Sequence, residues 1–130
     1  MSQQLGVLDL TFTAGEDLDS NQYYPVYLSA DQTVSLCTTS HVDAIGVLQN
    51  EPKSGEAAVV RVLGTTKVIG GEVIAAGKRV FVDTDAMVME ENAAAQAEAR
   101  LIGIALEACD AEDDIFEILL MHFSFVKGAT

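Results

Sequence analysis

The chain has 130 residues, 49% of them apolar and 21% charged, which fits one folded domain and excludes a disordered chain. Twenty acidic and 7 basic residues leave a net charge of −13, a surface that repels a phosphate backbone, so no nucleic-acid partner is expected. Acidity also favours solubility and keeps free copies apart; halophilic adaptation gives the same charge, so charge alone does not choose.

The start, Met1-Ser2-Gln3-Gln4, lacks the basic and apolar regions of a signal peptide, and no apolar run approaches the roughly 20 residues of a membrane helix. No membrane partner is expected. Residues 8–13 alternate apolar and polar, as in a strand with one buried face. Residues 26–28 and 33–37 read as two short strands around the turn Ser29-Ala30-Asp31-Gln32. Residues 44–49 and 57–63 are two more, separated by the turn-rich Asn50-Glu51-Pro52-Lys53-Ser54-Gly55. Residues 65–69 precede the Gly70-Gly71 break, and residues 73–75 lead through Ala76-Gly77-Lys78 into 79–82. Strands at 87–89 and 101–106 follow. Between them the Ala-rich segment 90–100 is either one short helix or a loop. The last run, 115–125, is apolar on both faces, which predicts that it is buried or covered by a neighbour.

The pattern repeats. Pro25-Val26-Tyr27-Leu28-Ser29-Ala30-Asp31-Gln32-Thr33-Val34 matches Arg79-Val80-Phe81-Val82-Asp83-Thr84-Asp85-Ala86-Met87-Val88. Ile45-Gly46-Val47 then matches Ile102-Gly103-Ile104, and a gap-free continuation sets Ala58 on Ile115. A recurring Gly inside a strand points to a bulge or a close backbone approach. The predicted fold is mainly β: a small β barrel or sandwich built from an internally duplicated β unit, with at most one short helix at about 90–100. The predicted organisation is an N-terminal arm plus first strand over 1–22, then a β domain over 23–130 with related halves at about 25–64 and 79–123.

The order Leu10-Thr11-Phe12-Thr13-Ala14-Gly15-Glu16-Asp17-Leu18, Ile45-Gly46-Val47-Leu48-Gln49-Asn50-Glu51-Pro52, Ser54-Gly55-Glu56-Ala57-Ala58-Val59-Val60, Gly64-Thr65-Thr66-Lys67-Val68, Ala75-Ala76-Gly77 and Leu101-Ile102-Gly103-Ile104-Ala105-Leu106-Glu107 resembles the capsid decoration (cement) proteins of tailed bacteriophages, over roughly residues 8 to 122. The family often has Gly-Asp in its last turn, where this chain has Glu112-Asp113-Asp114. The resemblance implies a β-rich virion protein on the outer capsid surface, made in the host cytoplasm. It implies a homotrimer that bridges major capsid proteins and stabilises the shell. The alternative is a virion surface adhesion module binding a host glycan or protein, hinted at only by Tyr23 and Tyr24.

No enzyme, cofactor or metal site is expected. Ser40-His41-Val42-Asp43 has triad residue types but no nucleophile elbow. Asp110, Glu112, Asp113 and Asp114 lack the alternation and central Gly of a calcium loop. Asp83 and Asp85 read as turn residues, and Gly70-Gly71 lacks the Lys-Ser/Thr of a phosphate loop. Cys37 and Cys109 have no metal-ligand spacing and read as reduced, half-buried strand residues. Two candidate contact regions remain for the capsid or a sister subunit. One is the acid-free stretch 57–71, with Arg61 and Lys67, followed by Lys78 and Arg79. The other is the N-terminal arm, with Ser2, Gln3, Gln4 and Leu5, which can add to a neighbouring sheet edge.

Overall fold

The computed structural model describes residues 8–38, 44–82, 86–90 and 101–121. Every regular element among them is a strand: β1 (Leu8–Ala14), β2 (Pro25–Ala30), β3 (Thr33–Leu36), β4 (Gly46–Leu48), β5 (Ala57–Leu63), β6 (Thr65–Ile69), β7 (Arg79–Val82), β8 (Val88–Glu90), β9 (Leu101–Ala105) and β10 (Ile115–Leu120). The helix-or-loop segment lies outside the described residues, except for Glu90, which ends β8.

The first five strands close a barrel in the order β1-β3-β2-β4-β5, and the last five form a sheet in the order β6-β10-β9-β7-β8. The fold is thus the expected β barrel with a second sheet. Strand for strand, the two orders are the same. Both contain the hairpin β2–β3 or β7–β8, then the pairs β2–β4 or β7–β9, β4–β5 or β9–β10, and β5–β1 or β10–β6. The barrel closes through the parallel pair Ala14↔Val34, with Gly15 N donating to Val34 O at 2.8 Å. The second unit carries a parallel bridge at the matching place, Gly70↔Val88, with Gly71 N donating to Val88 O at 2.9 Å. Each unit therefore includes one strand, β1 or β6, ahead of the repeat read from sequence.

Backbone conformation repeats as well. The left-handed residues Tyr23, Gln32 and Gly55 of unit 1 have counterparts in Gly77, Ala86 and Asp113 of unit 2. Tyr23 N donates to Leu48 O and Gly77 N to Ala105 O; Gly55 N donates to Ala14 O and Asp113 N to Gly70 O. One detail departs from the gap-free sequence match. Arg61 pairs with Val47 and Leu119 with Ile104, so Ala58 corresponds to Phe116, not Ile115. Ala58 and Phe116 are buried whereas Ile115 is exposed, so burial agrees with the shifted match.

Each unit holds its own core. Ala14, Leu18, Val26, Val34, Leu48, Ala58 and Val60 fill the barrel. Val68, Ile74, Val80, Val88, Phe116, Ile118 and Leu120 fill the second unit. Val47 faces out of the barrel and joins the second core, with Tyr23 and Ala44 packed beside it. Gln49 Nε2 donates to Thr66 Oγ1 at 2.8 Å across the same junction. Unit 1 thus presents the outer face of β4 to unit 2.

Gly46 and Gly103 explain the recurring Ile-Gly motif. A Cβ on Gly46 would overlap the Arg61 carbonyl, and one on Gly103 would overlap the Leu119 carbonyl. The obstacle is backbone, which cannot yield cheaply. Gly46→Ala and Gly103→Ala should each cost about 3 kcal/mol or more, or abolish folding. Gly55→Ala, which meets nothing within 4 Å but sits at φ 85°, should cost about 1 kcal/mol. Urea unfolding of the three variants measures the difference.

Candidate binding surfaces

The acidic turn after β9 is a structural element. Gly70 N donates to Asp114 O at 2.9 Å and Asp113 N to Gly70 O at 2.8 Å, which ties the turn to the end of β6. Asp113 has φ 72° and occupies the place Gly55 takes in unit 1. Asp113 therefore needs positive φ, a conformation Asp tolerates better than most side chains. Asp113→Gly should stabilise the fold by up to about 1 kcal/mol and Asp113→Val should destabilise it, both read from thermal melts.

Gly70 is the other half of this junction. A Cβ there would overlap the Cys109 sulfur, so Gly70 makes room for that side chain. Cys37 and Cys109 are both buried and unbridged. Burial pushes the Cys109 thiol above its ordinary value of 9.0; a backbone hydrogen bond at Ala111 opposes this, and Asp114, Asp110 and Glu72 reinforce it. The folded state therefore holds the thiol proton longer than the unfolded state does. That contribution to stability is complete below the unfolded value and is lost as pH rises through the folded one. Stability should fall as pH climbs above 9, and Cys109→Ala should flatten this part of the profile in pH-dependent urea melts.

Among the described residues, no group of three or more His, Cys, Asp or Glu side chains is placed to hold a metal ion. No helix among them is long and apolar enough to cross a membrane. His41 with its neighbours Ser40 and Asp43, and the pair Asp83 and Asp85, lie outside the described residues.

The basic candidates separate in space. Arg61 is 8% exposed, and its guanidinium grips Asp9 of β1 through Nε–Oδ1 at 2.8 Å and Nη2–Oδ2 at 3.2 Å. Its Nη1 donates to Thr65 O at 3.4 Å. Arg61 thus fastens the barrel and the start of unit 2. Lys67 is half-buried on β6, directly opposite Glu117. Lys78 and Arg79 are exposed at the start of β7. The stretch 57–71 is acid-free along the chain, but pairing sets Asp9 beside Arg61 and Glu117 beside Lys67. Ser2, Gln3, Gln4 and Leu5 lie outside the described residues.

Strand β10 shows what sequence reading missed. It is central in its sheet and its inner residues Phe116, Ile118 and Leu120 are buried. On the outer face Ile115 is 54% exposed and Leu119 38%, and Leu106 beyond β9 is 46% exposed. Ile69 and Ile104, half-buried, stand beside Ile115 and Leu119 by register. Glu117 lies between them, 5% exposed, and its Oε2 accepts no hydrogen bond among the described residues. The available signal was a strand apolar on both faces; which face the chain itself covers was not legible.

These features define an all-β, internally duplicated module whose unusual surfaces suit packing against other proteins. The family model described as phage cement protein matches residues 1–121. The chain belongs to that family of capsid-associated virion structural proteins. Among curated proteins none matches the sequence. The crystal structure of the head fiber gp8.5 N base in bacteriophage phi29 is similar in fold, with a TM-score of 0.64 at 15% identity, covering 92% of this chain and 98% of that one.

Proposed function

We propose that this protein is a non-enzymatic decoration protein that binds the outer surface of a phage capsid as a homotrimer and stabilises the shell. The family match over residues 1–121 carries this reading. Stabilisation works by mass action: a ligand that binds the assembled shell and not its loosened state favours the shell, by about 2.7 kcal/mol per site at a hundredfold excess over Kd. The partner is the major capsid protein, and no cofactor is required. The protein is made in the host cytoplasm and acts on the virion exterior.

The contact with the capsid or with a sister subunit is assigned to the N-terminal arm, residues 2–6, and to the cations Lys67, Lys78 and Arg79. Arg61 contributes from within, by holding β1 to β5 through Asp9. Likeness in fold to a head-fiber base favours a second reading, an adhesion module for a host glycan or protein. Its aromatic platform is reduced, because Tyr23 packs against the core of unit 2.

Electron microscopy of particles carrying the protein should show knobs at local threefold positions on the outer surface. An internal or tail location would overturn the proposal. In a shell-binding assay, deletion of residues 2–6, Lys67→Glu and Lys78→Glu should each weaken retention at least severalfold, and full retention would remove that segment from the contact. Arg61→Glu should instead lower the melting temperature, because it places a second acid against Asp9.

A further inference from the structure

The internal duplication provides a comparison within one molecule. In unit 1, Val47, Gln49 and Arg61 form a patch on the outer face of β4 and β5, and unit 2 covers it. Val47 enters the core of unit 2, Gln49 bonds Thr66, and Arg61 reaches the Thr65 carbonyl. The counterparts in unit 2 are Ile104, Leu106 and Leu119. Among the described residues no third unit covers them, and two of these three aliphatics are exposed.

We propose that the outer face of β6, β10 and β9 is the surface on which a second copy of this chain packs. Three observations specify that occupant. First, the backbone site is one that this chain already uses to seat a β unit of its own kind. Second, the face is aliphatic, with Ile69, Ile104, Leu106, Ile115 and Leu119 around Glu117, Lys67 and Arg79. Copies carrying a net charge of −13 repel one another, so the surface on which they meet has to be nearly neutral, as this one is. Third, Ile115 is 54% exposed, Leu106 46% and Leu119 38%, a cluster of large aliphatics of the kind that marks a protein-contact surface.

A contact in which the covering surface differs from the covered one is heterologous, and heterologous contacts close into rings when the rotation between copies permits. This face supplies the contact for the homotrimer proposed above and depends on that proposal only for the number of copies.

The test is the sedimentation of the full chain at several concentrations. The wild type should sediment as more than one chain, and as three if the trimer holds. Leu119→Asp and Ile115→Lys should sediment as single chains with unchanged far-ultraviolet circular dichroism. Leu119 is 38% exposed, so a charge placed there stays in contact with solvent. Should Leu119→Asp unfold, Ile115→Lys decides alone. An oligomer that survives the folded variants overturns this surface and leaves the trimer standing. A monomeric wild type overturns both. If that monomer loses shell binding on Leu119→Asp, the occupant is the capsid protein; if it only loses stability, the face is covered by the chain's own residues.

Discussion

The fold depends on a backbone approach that leaves no room for a Cβ. At Gly46 the chain lies against the Arg61 carbonyl, and at Gly103 against the Leu119 carbonyl. Because strand side chains alternate, fixing this one pairing fixes every face that follows. Leu48 and Val60 turn into the barrel and Val47 and Arg61 turn out of it. Ala105 and Ile118 turn into the second core, and Ile104 and Leu119 turn out. The same two glycines therefore determine what fills each unit and which side chains the outer face presents.

Much of this was legible in the sequence, for physical reasons. The strand at residues 8–13 and the turn chemistry at residues 29–32 and 76–78 report local preferences that the fold keeps. The alternating face of that strand is not buried as expected: Leu8 is 43% and Leu10 42% exposed, and only Ala14 at its end is buried in the core. The recurring Ile-Gly pair pointed to a bulge or a close backbone approach, and the close approach is what the fold contains. The illegible features are those that depend on pairing between distant strands. The acid-free run from 57 to 71 looked like a basic lead because sequence shows only neighbours along the chain. Strand pairing places Asp9 and Glu117 beside its two cations. The gap-free match of the last strands failed by one residue because β10 is aliphatic on both faces, so Ile115 and Phe116 look equally like core. Only burial separates them.

The acidity and the apolar faces act together. Screening at physiological ionic strength confines charge repulsion to roughly 8 Å, so it governs contact more than approach. Acids crowd the loops, as at Glu16, Asp17 and Asp19 and again at Asp110 to Asp114. These loops resist close packing of like copies, whereas a sheet face with few charges permits it. An exposed cluster of large aliphatics on a chain otherwise protected by charge is where association costs least electrostatically and gains most from burial.

Duplication gives two copies of a scaffold, and divergence then assigns them different work. At the site where unit 1 is covered by its sister, the residues are Val47, Gln49 and Arg61, which supply one apolar contact and two polar fastenings within the chain. At the matching site of unit 2 the polar members have become Leu106 and Leu119. Intramolecular docking needs little apolar area, because the linker at Gly64 already holds the units together and no translational freedom is lost. Docking between separate molecules has to overcome that loss, and apolar area is the physical resource for it. The shift from Gln49 and Arg61 to Leu106 and Leu119 runs in the direction this difference requires.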